Sequence, residues 1–588
     1  MKKYPLHLLL TALSAALITA CEKDDIIDTG SSSSATTAPS TDTTTGEDDE
    51  DNYDAGIFDR TITITWSASA ASVSGDANGI VSVSGTHVTV NNTKTSEKVR
   101  YALSGSCSDG SLKLYSNNKQ ALLLDGLSLT NPSGAAINNQ GKKRCYVVLS
   151  GTNTLADSAG AAYSATGEED LKAVFFSEGQ LLFSGSGSLS VTASNAQGKS
   201  GILSDDYVFI DGPAISVTAG SGAGHGLRGK DAVIMSDGSL DISVSAAMKK
   251  GIASDSLVVF NGGTTTVKAT GGTAYDSEDQ EYKAAAGIKA DQVFKMNDGT
   301  LTVTSSGQGG KGITGDAVAY FNGGTVSVTV TGSNYGSSGG SGRPGSGGSD
   351  SGNSKSAKGI KFDGDIHFTG GYVSATAASH EAIESKGVMT FTDGYIYAQS
   401  SDDAINSAKD MTISGGCICA YSTGNDGLDA NGNLYIKGGL VYAIGSNSPE
   451  VGIDANTEGG YKLYLSGGTV IAIGGLENGS SLTQSCYSAS SWSKNTWYLL
   501  TIDSIPYAFK TPSSGGSGLV VSGASEPTLS SGVSISGGVS IWNGMGLLDG
   551  SFSGGSVVNL SSYTGGSGGG PGGGGNPGGG GPGGGGWH

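Results

Sequence analysis

The sequence predicts an all-β protein folded as a right-handed, single-stranded parallel β-helix, or β-solenoid, of about a dozen coils. Three observations lead to this prediction. Glycine accounts for 100 of 588 residues without a collagen-like period, so it serves turns. Long amphipathic helix patterns are scarce. A short motif also recurs at a nearly constant interval, which is typical of stacked structural repeats.

The recurring motif is a small residue followed by Ile or Leu, and it marks one position in each coil. Most copies are 22 to 25 residues apart, and two longer intervals contain an acidic insert at 276–282 and a Gly/Ser-rich insert at 332–356. A string of β-sandwiches would show hairpin turns without a common register, so the solenoid is favoured. The copies are Gly201-Ile202, Gly226-Leu227, Gly251-Ile252, Gly287-Ile288, Gly312-Ile313, Gly359-Ile360, Ala382-Ile383, Ala404-Ile405, Gly427-Leu428 and Gly452-Ile453.

Both ends of the solenoid need covers, because an open coil exposes unpaired backbone groups. We expect the strand-like residues 61–65 and 87–91 to begin the stack as N-terminal cap strands. The predicted β-helix covers 56–475, with a disordered insert at 332–356. Final coils and an irregular C-terminal β cap follow over 476–563, and a disordered Gly/Pro-rich tail covers 564–588.

Residues 1–21 have the basic start, the short apolar run and the small residues before a cysteine that are typical of a secretory signal. The run is too short to span a bilayer. Ile18-Thr19-Ala20-Cys21 resembles the lipobox of bacterial lipoproteins, which implies that Cys21 is acylated. Residues 22–55 are acidic and Ser/Thr-rich, so we expect a disordered tether. The localisation that follows is a lipid-anchored, surface-exposed protein of the outer membrane.

The formal net charge of −20 argues against bare nucleic acid as a partner, since few groups could neutralise a phosphate backbone. Membrane contact is expected through the lipid anchor only, and the chain is expected to be a monomer.

Acidic residues surround the motif in four consecutive coils, from Ala382 to Gly452. Equivalent positions in stacked coils lie about 4.8 Å apart, so these carboxylates would form ladders that need a counter-ion or raised pKa values. Ligands that are all oxygen favour a hard cation such as Ca²⁺. The alternative is that Asp and Asn beside glycine only form turns. The predicted calcium ligands are Glu381, Glu384, Asp402, Asp403, Asn406, Asn425, Asp426, Asp429 and Asp454.

A second row of acids recurs three residues after the motif Ile. A further metal ladder and simple turn chemistry are both open for this row. Its members are Asp255, Asp291, Asp316 and Asp363.

Tyrosines alternate with apolar residues in the last strand of the same coils. They are predicted to point outward as a row whose flat rings could stack on sugars. The alternative is that tyrosine simply suits strands and that loops or the cap cover this face. The residues are Tyr372, Tyr395, Tyr397, Tyr421 and Tyr442.

At this point the chain resembles a family of secreted carbohydrate-binding domain-containing proteins. The resemblance implies a right-handed parallel β-helix similar to polysaccharide lyases, which binds calcium and cell-wall polysaccharides such as cellulose and pectic acid. Glu381-Ala382-Ile383-Glu384 departs from the pattern, because the family favours Asp-Gly there. The resembling elements are Leu124-Asp125-Gly126-Leu127, Gly224-His225-Gly226-Leu227-Arg228-Gly229-Lys230-Asp231, Asp402-Asp403-Ala404-Ile405 and Asn425-Asp426-Gly427-Leu428-Asp429.

The favoured function is therefore a calcium-loaded, cell-surface module that binds polysaccharide, either an acidic polyuronate or a cellulose-like glycan. One alternative is a calcium-dependent pectate-type lyase, in which a lysine removes the proton next to the uronate carboxylate. Another is a passive surface adhesin or fibre. The lysines near the acidic coils that could act as the base are Lys358, Lys361, Lys386 and Lys409.

Overall fold

The computed structural model describes residues 50–165, 167–336 and 352–565. The predicted signal segment, Cys21, most of the tether and nearly all of the tail lie outside these residues. The described part is almost entirely β-structure, with three short 3-10 helices at Ala55–Ile57, Thr457–Gly459 and Trp542–Gly544. None of its helices has the length and apolar character needed to cross a membrane.

Each regular coil contributes three consecutive strand runs, which form three long faces of the solenoid. In one coil they are Ser200–Ser204, Tyr207–Ile210 and Ala214–Ala219, called here faces one, two and three. Face one is a 15-stranded sheet, and faces two and three belong to a 28-stranded sheet. The predicted parallel solenoid is confirmed. It has about 15 turns rather than about a dozen, because coils precede the first motif copy that is visible in the sequence.

Face one begins with an antiparallel pair and continues as parallel strands. Its strands are Val81–Ser84, His87–Asn92, Ser111–Ser116, Ile137–Asn139, Ala173–Ser177, Ser200–Ser204, Leu227–Gly229, Lys250–Ser254, Ala286–Ala290, Lys311–Gly315, Ile360–Phe362, Ile383–Ser385, Ile405–Ser407, Leu428–Ala430 and Ile453–Ala455.

Faces two and three are joined in several coils by one long strand. These joining strands are Arg60–Trp66, Val99–Cys107, Gln120–Asn131, Ile366–Ala377, Met389–Ser400, Leu434–Ile444 and Leu463–Ile473. Separate strands of face two are Cys145–Ser150, Leu181–Gly185, Tyr207–Ile210, Ala232–Met235, Leu257–Phe260, Val293–Met296, Val318–Phe321, Met411–Ile413 and Ser481–Leu482. Those of face three and its two ends are Ala71–Ser74, Thr152–Asp157, Ser188–Ala193, Ala214–Ala219, Ser239–Val244, Thr264–Ala269, Thr300–Ser305, Thr325–Val330, Cys417–Ser422, Cys486–Ala489, Leu519–Ser522 and Ser561–Tyr563.

The motif Ile and Leu side chains form one inner ladder of face one, in register from coil to coil and fully buried. The preceding small residue is required by a close approach of two backbones. A Cβ added at Gly226 would lie 2.4 Å from Cγ2 of Ile242 and 2.7 Å from the Gly251 carbonyl oxygen. The inner ladder consists of Ile202, Leu227, Ile252, Ile288, Ile313, Ile360, Ile383, Ile405, Leu428 and Ile453.

The N-terminal end follows the prediction, with strands Arg60–Trp66 and His87–Asn92 at the start of the stack. The tether prediction is wrong for its last residues. Arg144 holds the Asp51 carboxylate at 3.2 Å, and the Tyr146 hydroxyl donates to the Glu50 carbonyl oxygen at 2.6 Å. Ion pairing and aromatic packing therefore fix residues 50–58 along face two.

Two inserts interrupt the coils without shifting their register. The acidic insert is a small antiparallel hairpin of Ala274–Asp276 and Glu281–Lys283. In the second insert, Tyr335 pairs with Lys355, and residues 337–351 lie outside the described part.

The C-terminal region forms a six-stranded antiparallel sheet, more regular than the predicted irregular cap. We call it the C-terminal sheet. Its apolar side packs against outward side chains of face three, so it covers a side of the solenoid. The strands are Trp497–Ile502, Ile505–Lys510, Thr528–Ser536, Val539–Ile541, Gly546–Leu548 and Ser551–Val558.

Candidate functional site

The predicted calcium ligands lie at one corner of the solenoid, where face three ends and face one begins. We call this set of residues the acidic corner. The parallel register places Glu384, Asn406, Asp429 and Asp454 side by side on successive strands of face one, as the motif alignment predicted. The corner therefore brings residues from different coils into one row, and the contacts of each residue decide what the row can bind.

Basic side chains neutralise the first two predicted ligands. The Lys358 ammonium lies 2.6 Å from Oε2 of Glu384 and 3.2 Å from Oε2 of Glu381, with its side chain only 2% exposed. Lys386 contacts the other oxygen of Glu384. Burial opposes ionisation of Glu384, but the two ammonium groups bring its pKa below the ordinary value. Both glutamates therefore already have an internal cation.

His380 joins this neutralised end of the corner. Its Nδ1 contacts Oε2 of Glu381 and lies 3.0 Å from Oδ2 of Asp402. Burial opposes the charged imidazole, but these carboxylates raise the pKa of His380 to about 9. Burial likewise opposes ionisation of Asp402, and His380 brings the pKa of that carboxyl below its ordinary value. One ring nitrogen of His380 and one carboxylate oxygen each of Glu381 and Asp402 lie within 4.8 Å of one another. The imidazolium therefore balances the charge of these carboxylates.

The carboxylates in the middle of the acidic corner have no basic partner among the described residues. Nδ2 of Asn406 donates to Oδ2 of Asp403 at 3.3 Å and also to Oδ2 of Asp429. Burial, and then the nearby Asp429 carboxyl, raise the pKa of Asp403 well above its ordinary value. Burial raises the pKa of Asp429 to about 7, with a further contribution from Glu381. The carboxyl groups of Asp403 and Asp429, from successive coils, therefore accept hydrogen bonds from the same Asn406 amide.

Raised carboxyl pKa values are also found at Asp426, in the same coil as Asp429, and at Asp454 in the next coil. Burial raises the pKa of Asp426 to about 8, although the Val451 backbone N–H donates to its carboxylate. Burial and a hydrogen bond with Glu477 raise the pKa of Asp454 to about 10. In the part of the chain that the structure describes, no Lys, Arg or His forms an ion pair with Asp403, Asp426, Asp429 or Asp454.

Asn425 supplies the clearest sign of a missing partner. Its Nδ2 donates to Oδ1 of Asp402 at 3.0 Å, but its own Oδ1 is buried and accepts no hydrogen bond within the described residues. Only 6% of the residue is exposed. Burying an acceptor without a partner costs roughly 1–3 kcal/mol, so such atoms are uncommon. An amide oxygen beside carboxylates suits a hard cation such as Ca²⁺.

Sequence reasoning considered Lys358 only as a lyase base and missed Glu477, although the motif could have identified the position of both. Lys358 precedes Gly359 as Glu381 precedes Ala382, so one further coil of alignment would have predicted the internal cation. Gly475-Leu476 is another copy of the motif, and Leu476 bridges to Ile453. Glu477 therefore follows Asp454 in the outward row.

The second row of acids is paired with bases, so turn chemistry and ion pairing explain it. Asp255 binds Arg228 at 2.6 Å, and Asp363 binds Lys361. Lys289 lies between Asp291, at 2.7 Å, and Asp316, at 3.1 Å. This row has no excess of carboxylate charge that would require a metal.

The predicted row of exposed tyrosines is wrong, because the C-terminal sheet covers it. Tyr397, Tyr421 and Tyr442 point away from the coil interior as predicted, but all three are buried. The Tyr442 ring packs 5.2 Å from the ring of Phe509, and its hydroxyl donates to the Lys510 carbonyl oxygen at 3.1 Å. The alternative that the cap covers this face is confirmed.

The other two tyrosines lie at the edge of this interface. Tyr372 and Tyr395 are half-buried, and the Tyr372 hydroxyl lies 3.5 Å from Oδ1 of Asn543. An open stacking platform for sugars is therefore absent at these five positions.

Three of the four lysines considered as a lyase base are engaged in ion pairs. Lys358 is buried between Glu381 and Glu384, and Lys386 also contacts Glu384. Lys361 binds Asp363. Lys409 is exposed, and no described carboxylate forms an ion pair with it. No specific contact in the acidic corner favours proton abstraction.

Comparison with known proteins adds information about the N-terminal coils. Residues 84–247 and 241–334 match the sequence family described as "carbohydrate-binding domain-containing protein". The predicted resemblance is confirmed over these residues. A solved structure of the polysaccharide lyase-like protein from C. thermocellum, a gadolinium derivative, is 22% identical, with a TM-score of 0.36. The alignment covers 44% of this chain and 96% of that one. No curated protein matches.

The matched residues end before the acidic corner begins. Glu381 and the other candidate ligands belong to later coils of the same solenoid, which the sheet register joins to the matched coils without a break.

Proposed function

We propose that this chain binds polysaccharide and that its acidic corner holds Ca²⁺. The proposal of glycan binding is supported by the carbohydrate-binding family that residues 84–334 match. The proposal of calcium is supported above all by one observation. Carboxylates from two successive coils, the buried Asp403 and Asp426 and the half-buried Asp429, have raised pKa values and no basic partner among the described residues.

The chemistry of the donor set favours calcium over transition metals. The candidate ligands Asp403, Asn425, Asp426, Asp429 and Asp454 offer only oxygen, and Ca²⁺ accepts six to eight oxygen ligands in flexible geometry. The acceptor atom Asn425 Oδ1 would gain a partner when the ion binds. Glu381, Glu384 and Asp402 would then act as a neutralised flank, because Lys358, Lys386 and His380 already balance their charge.

Bound calcium would supply positive charge on a strongly acidic protein. We propose that this charge lets the chain accept an acidic glycan such as a polyuronate, which its net charge of −20 would otherwise repel. A cellulose-like glycan would depend on calcium only through the stability of the coils.

The cellular setting is part of the same proposal. Acylation of Cys21 would tether the solenoid to the outer membrane through residues 22–49, where a monomer could meet extracellular glycans. Release of the protein from membranes by a Cys21→Ala change would support this. Retention of that variant in the membrane fraction would contradict it.

Calorimetry with CaCl₂ on the soluble chain lacking residues 1–21 tests the metal. We expect binding by the wild type and its loss in an Asp403→Asn/Asp429→Asn variant. The matched control is Asp255→Asn/Asp363→Asn, which makes the same chemical change at carboxylates paired with Arg228 and Lys361. Equal heats for both variants would contradict the assigned site.

Affinity electrophoresis in gels that contain polygalacturonate or a soluble cellulose derivative tests the glycan. Retardation by polygalacturonate that is stronger with calcium than in EDTA is the expected result. Retardation by neither polymer would favour the passive adhesin. An unsaturated product that absorbs ultraviolet light, formed from polygalacturonate and calcium, would make the protein a lyase.

A further inference from the structure

A pocket of about 420 Å³ opens on face one, far along the solenoid from the acidic corner. Its volume lies within the roughly 300–1,000 Å³ that is usual for ligand sites. The pocket is built by the corner that follows face one. Backbone hydrogen bonds stack Glu178, Asp205 and Lys230 in successive coils, from Asp205 N–H to the Ser177 carbonyl and from Lys230 N–H to the Ser204 carbonyl.

The lining is more basic than acidic, in contrast with the rest of this acidic protein. Four lining residues are basic, two are acidic and one is apolar. The basic ones are Lys142, Lys172, Arg228 and Lys230, the acidic ones are Glu178 and Asp205, and Leu203 is the apolar one.

Two of the four basic groups are engaged with the protein itself. Lys172 lies 2.7 Å from Oδ2 of Asp170 and 2.6 Å from Oδ2 of Asp205. Arg228 binds both carboxylate oxygens of Asp255, at 2.7 and 2.6 Å. Asp170, Glu178 and Asp205 lie close enough to hold a metal, but the Lys172 ammonium already bridges two of them. Asp170 and Asp205 therefore already share a cation.

The other two basic groups remain free for a ligand. Lys142 and Lys230 are exposed, and within the described residues neither forms an ion pair or a side-chain hydrogen bond. Two ammonium groups in the lining of one pocket attract an anion, and each can donate hydrogen bonds to a carboxylate.

The rest of the lining suits a sugar ring. Leu203 packs against Phe176 and Ala173 and gives the pocket a small apolar surface. Such a surface can pack on the C–H face of a pyranose. Glu178 has acceptor oxygens for sugar hydroxyls. A ligand that combines an anionic group, an apolar ring face and hydroxyl groups is a sugar acid.

We propose that this pocket binds a carboxylated sugar unit without calcium. Lys142 and Lys230 contact the carboxylate, Leu203 packs against the ring, and Glu178 accepts hydrogen bonds from hydroxyls. The assignment rests on the proposed polysaccharide binding and names its substrate class, but it is independent of the acidic corner. It places a glycan contact inside the residues that match the carbohydrate-binding family.

Calorimetry with trigalacturonate in EDTA tests the pocket, with cellotriose as the neutral probe of similar size. We expect the wild type to bind trigalacturonate more tightly than cellotriose. Lys142→Gln and Lys230→Gln should each weaken trigalacturonate binding by about two- to five-fold, as expected for one partly exposed ion pair. Lys268→Gln is the matched control, because Lys268 is an exposed lysine on face three. It should bind like the wild type.

The outcomes separate this inference from the calcium proposal. Trigalacturonate binding that needs calcium, and that is unaffected in Lys142→Gln and Lys230→Gln, overturns the pocket and leaves the acidic corner standing. Binding in EDTA that falls in both lysine variants supports the pocket even if no calcium binds. Equal affinity for cellotriose, or competition by millimolar inorganic sulfate as effective as that by free galacturonate, overturns the sugar-acid assignment.

Discussion

Replacing Asp426 by Asn should stabilise the calcium-free protein and weaken its response to calcium. The change keeps the size and the hydrogen-bonding shape of the side chain but removes a charge that burial makes costly. Burial raises the pKa of Asp426 from 3.8 to about 8, so the folded state holds this proton more tightly than the unfolded state does. Stability must then fall as the pH rises from about 4 to about 8, and level off above that range.

The size of the effect follows from the pKa values. Each pH unit within this range removes about 1.36 kcal/mol from the free energy of unfolding. Between pH 5 and pH 8 this one carboxyl therefore lowers the stability of the calcium-free wild type by up to about 4 kcal/mol. Asn has no proton to lose, so the difference between wild type and variant isolates the contribution of Asp426 from all other titrating groups.

Urea denaturation followed by circular dichroism at pH 5 and pH 8, with EDTA or with calcium, measures this. In EDTA at pH 8, Asp426→Asn should be more stable than the wild type, and at pH 5 the two should converge. Calcium at 100 times its dissociation constant adds about 2.7 kcal/mol per site to a protein that binds it. We therefore expect calcium to narrow the stability difference between the two proteins at pH 8 by up to that amount.

Asp363→Asn serves as the control, because the Asp363 carboxylate is half-exposed and paired with Lys361. It should change stability by less than about 1 kcal/mol with no dependence on calcium. The reasoning is refuted if Asp426→Asn is less stable than the wild type in EDTA at pH 8 while calcium stabilises both proteins equally.

Three further substitutions test the packing around the site by urea denaturation. Lys358→Met should lower the free energy of unfolding by about 3–5 kcal/mol, because it removes the buried cation that Glu381 and Glu384 share. A loss below about 1 kcal/mol would show that these two glutamates are not held as ions. Trp542→Ala should cost about 3–5 kcal/mol and increase binding of a hydrophobic dye, and unchanged dye fluorescence would argue against the C-terminal sheet as the cover of face three. Gly226→Ala should cost about 1–3 kcal/mol through overpacking, and a neutral effect would disprove the close backbone approach.

The motif alignment was sufficient to predict the solenoid and to predict which residues of the acidic corner are neighbours. Ile383, Ile405, Leu428 and Ile453 stack as aligned, because a buried position that repeats once per coil leaves only one register that keeps every apolar side chain inside. The pairing of Asn406 with Asp429 follows directly from that register. Local sequence was therefore a good guide to which residues are adjacent.

Local sequence was a poor guide to which outward surfaces are exposed. Tyr397 and Tyr442 alternate correctly with the inner residues, but their burial depends on Phe509 and Trp542, which come much later in the chain. Alternation specifies the direction of a side chain, whereas exposure depends on what packs against it. A distant segment that covers a sheet face leaves no trace in the periodicity of that face.

The sequence by itself determined the repeat, its register and the concentration of carboxylates at one corner, because these follow from apolar residues that recur once per coil. Only the tertiary structure decided which carboxylates have a counter-charge. Lys358 neutralises Glu381 and Glu384, and His380 neutralises Asp402, whereas Asp403, Asp426 and Asp429 are left to share protons or a cation. The physical reason is that charge compensation acts over a few ångströms in a low-dielectric interior, so it depends on side-chain positions that no spacing along the chain specifies.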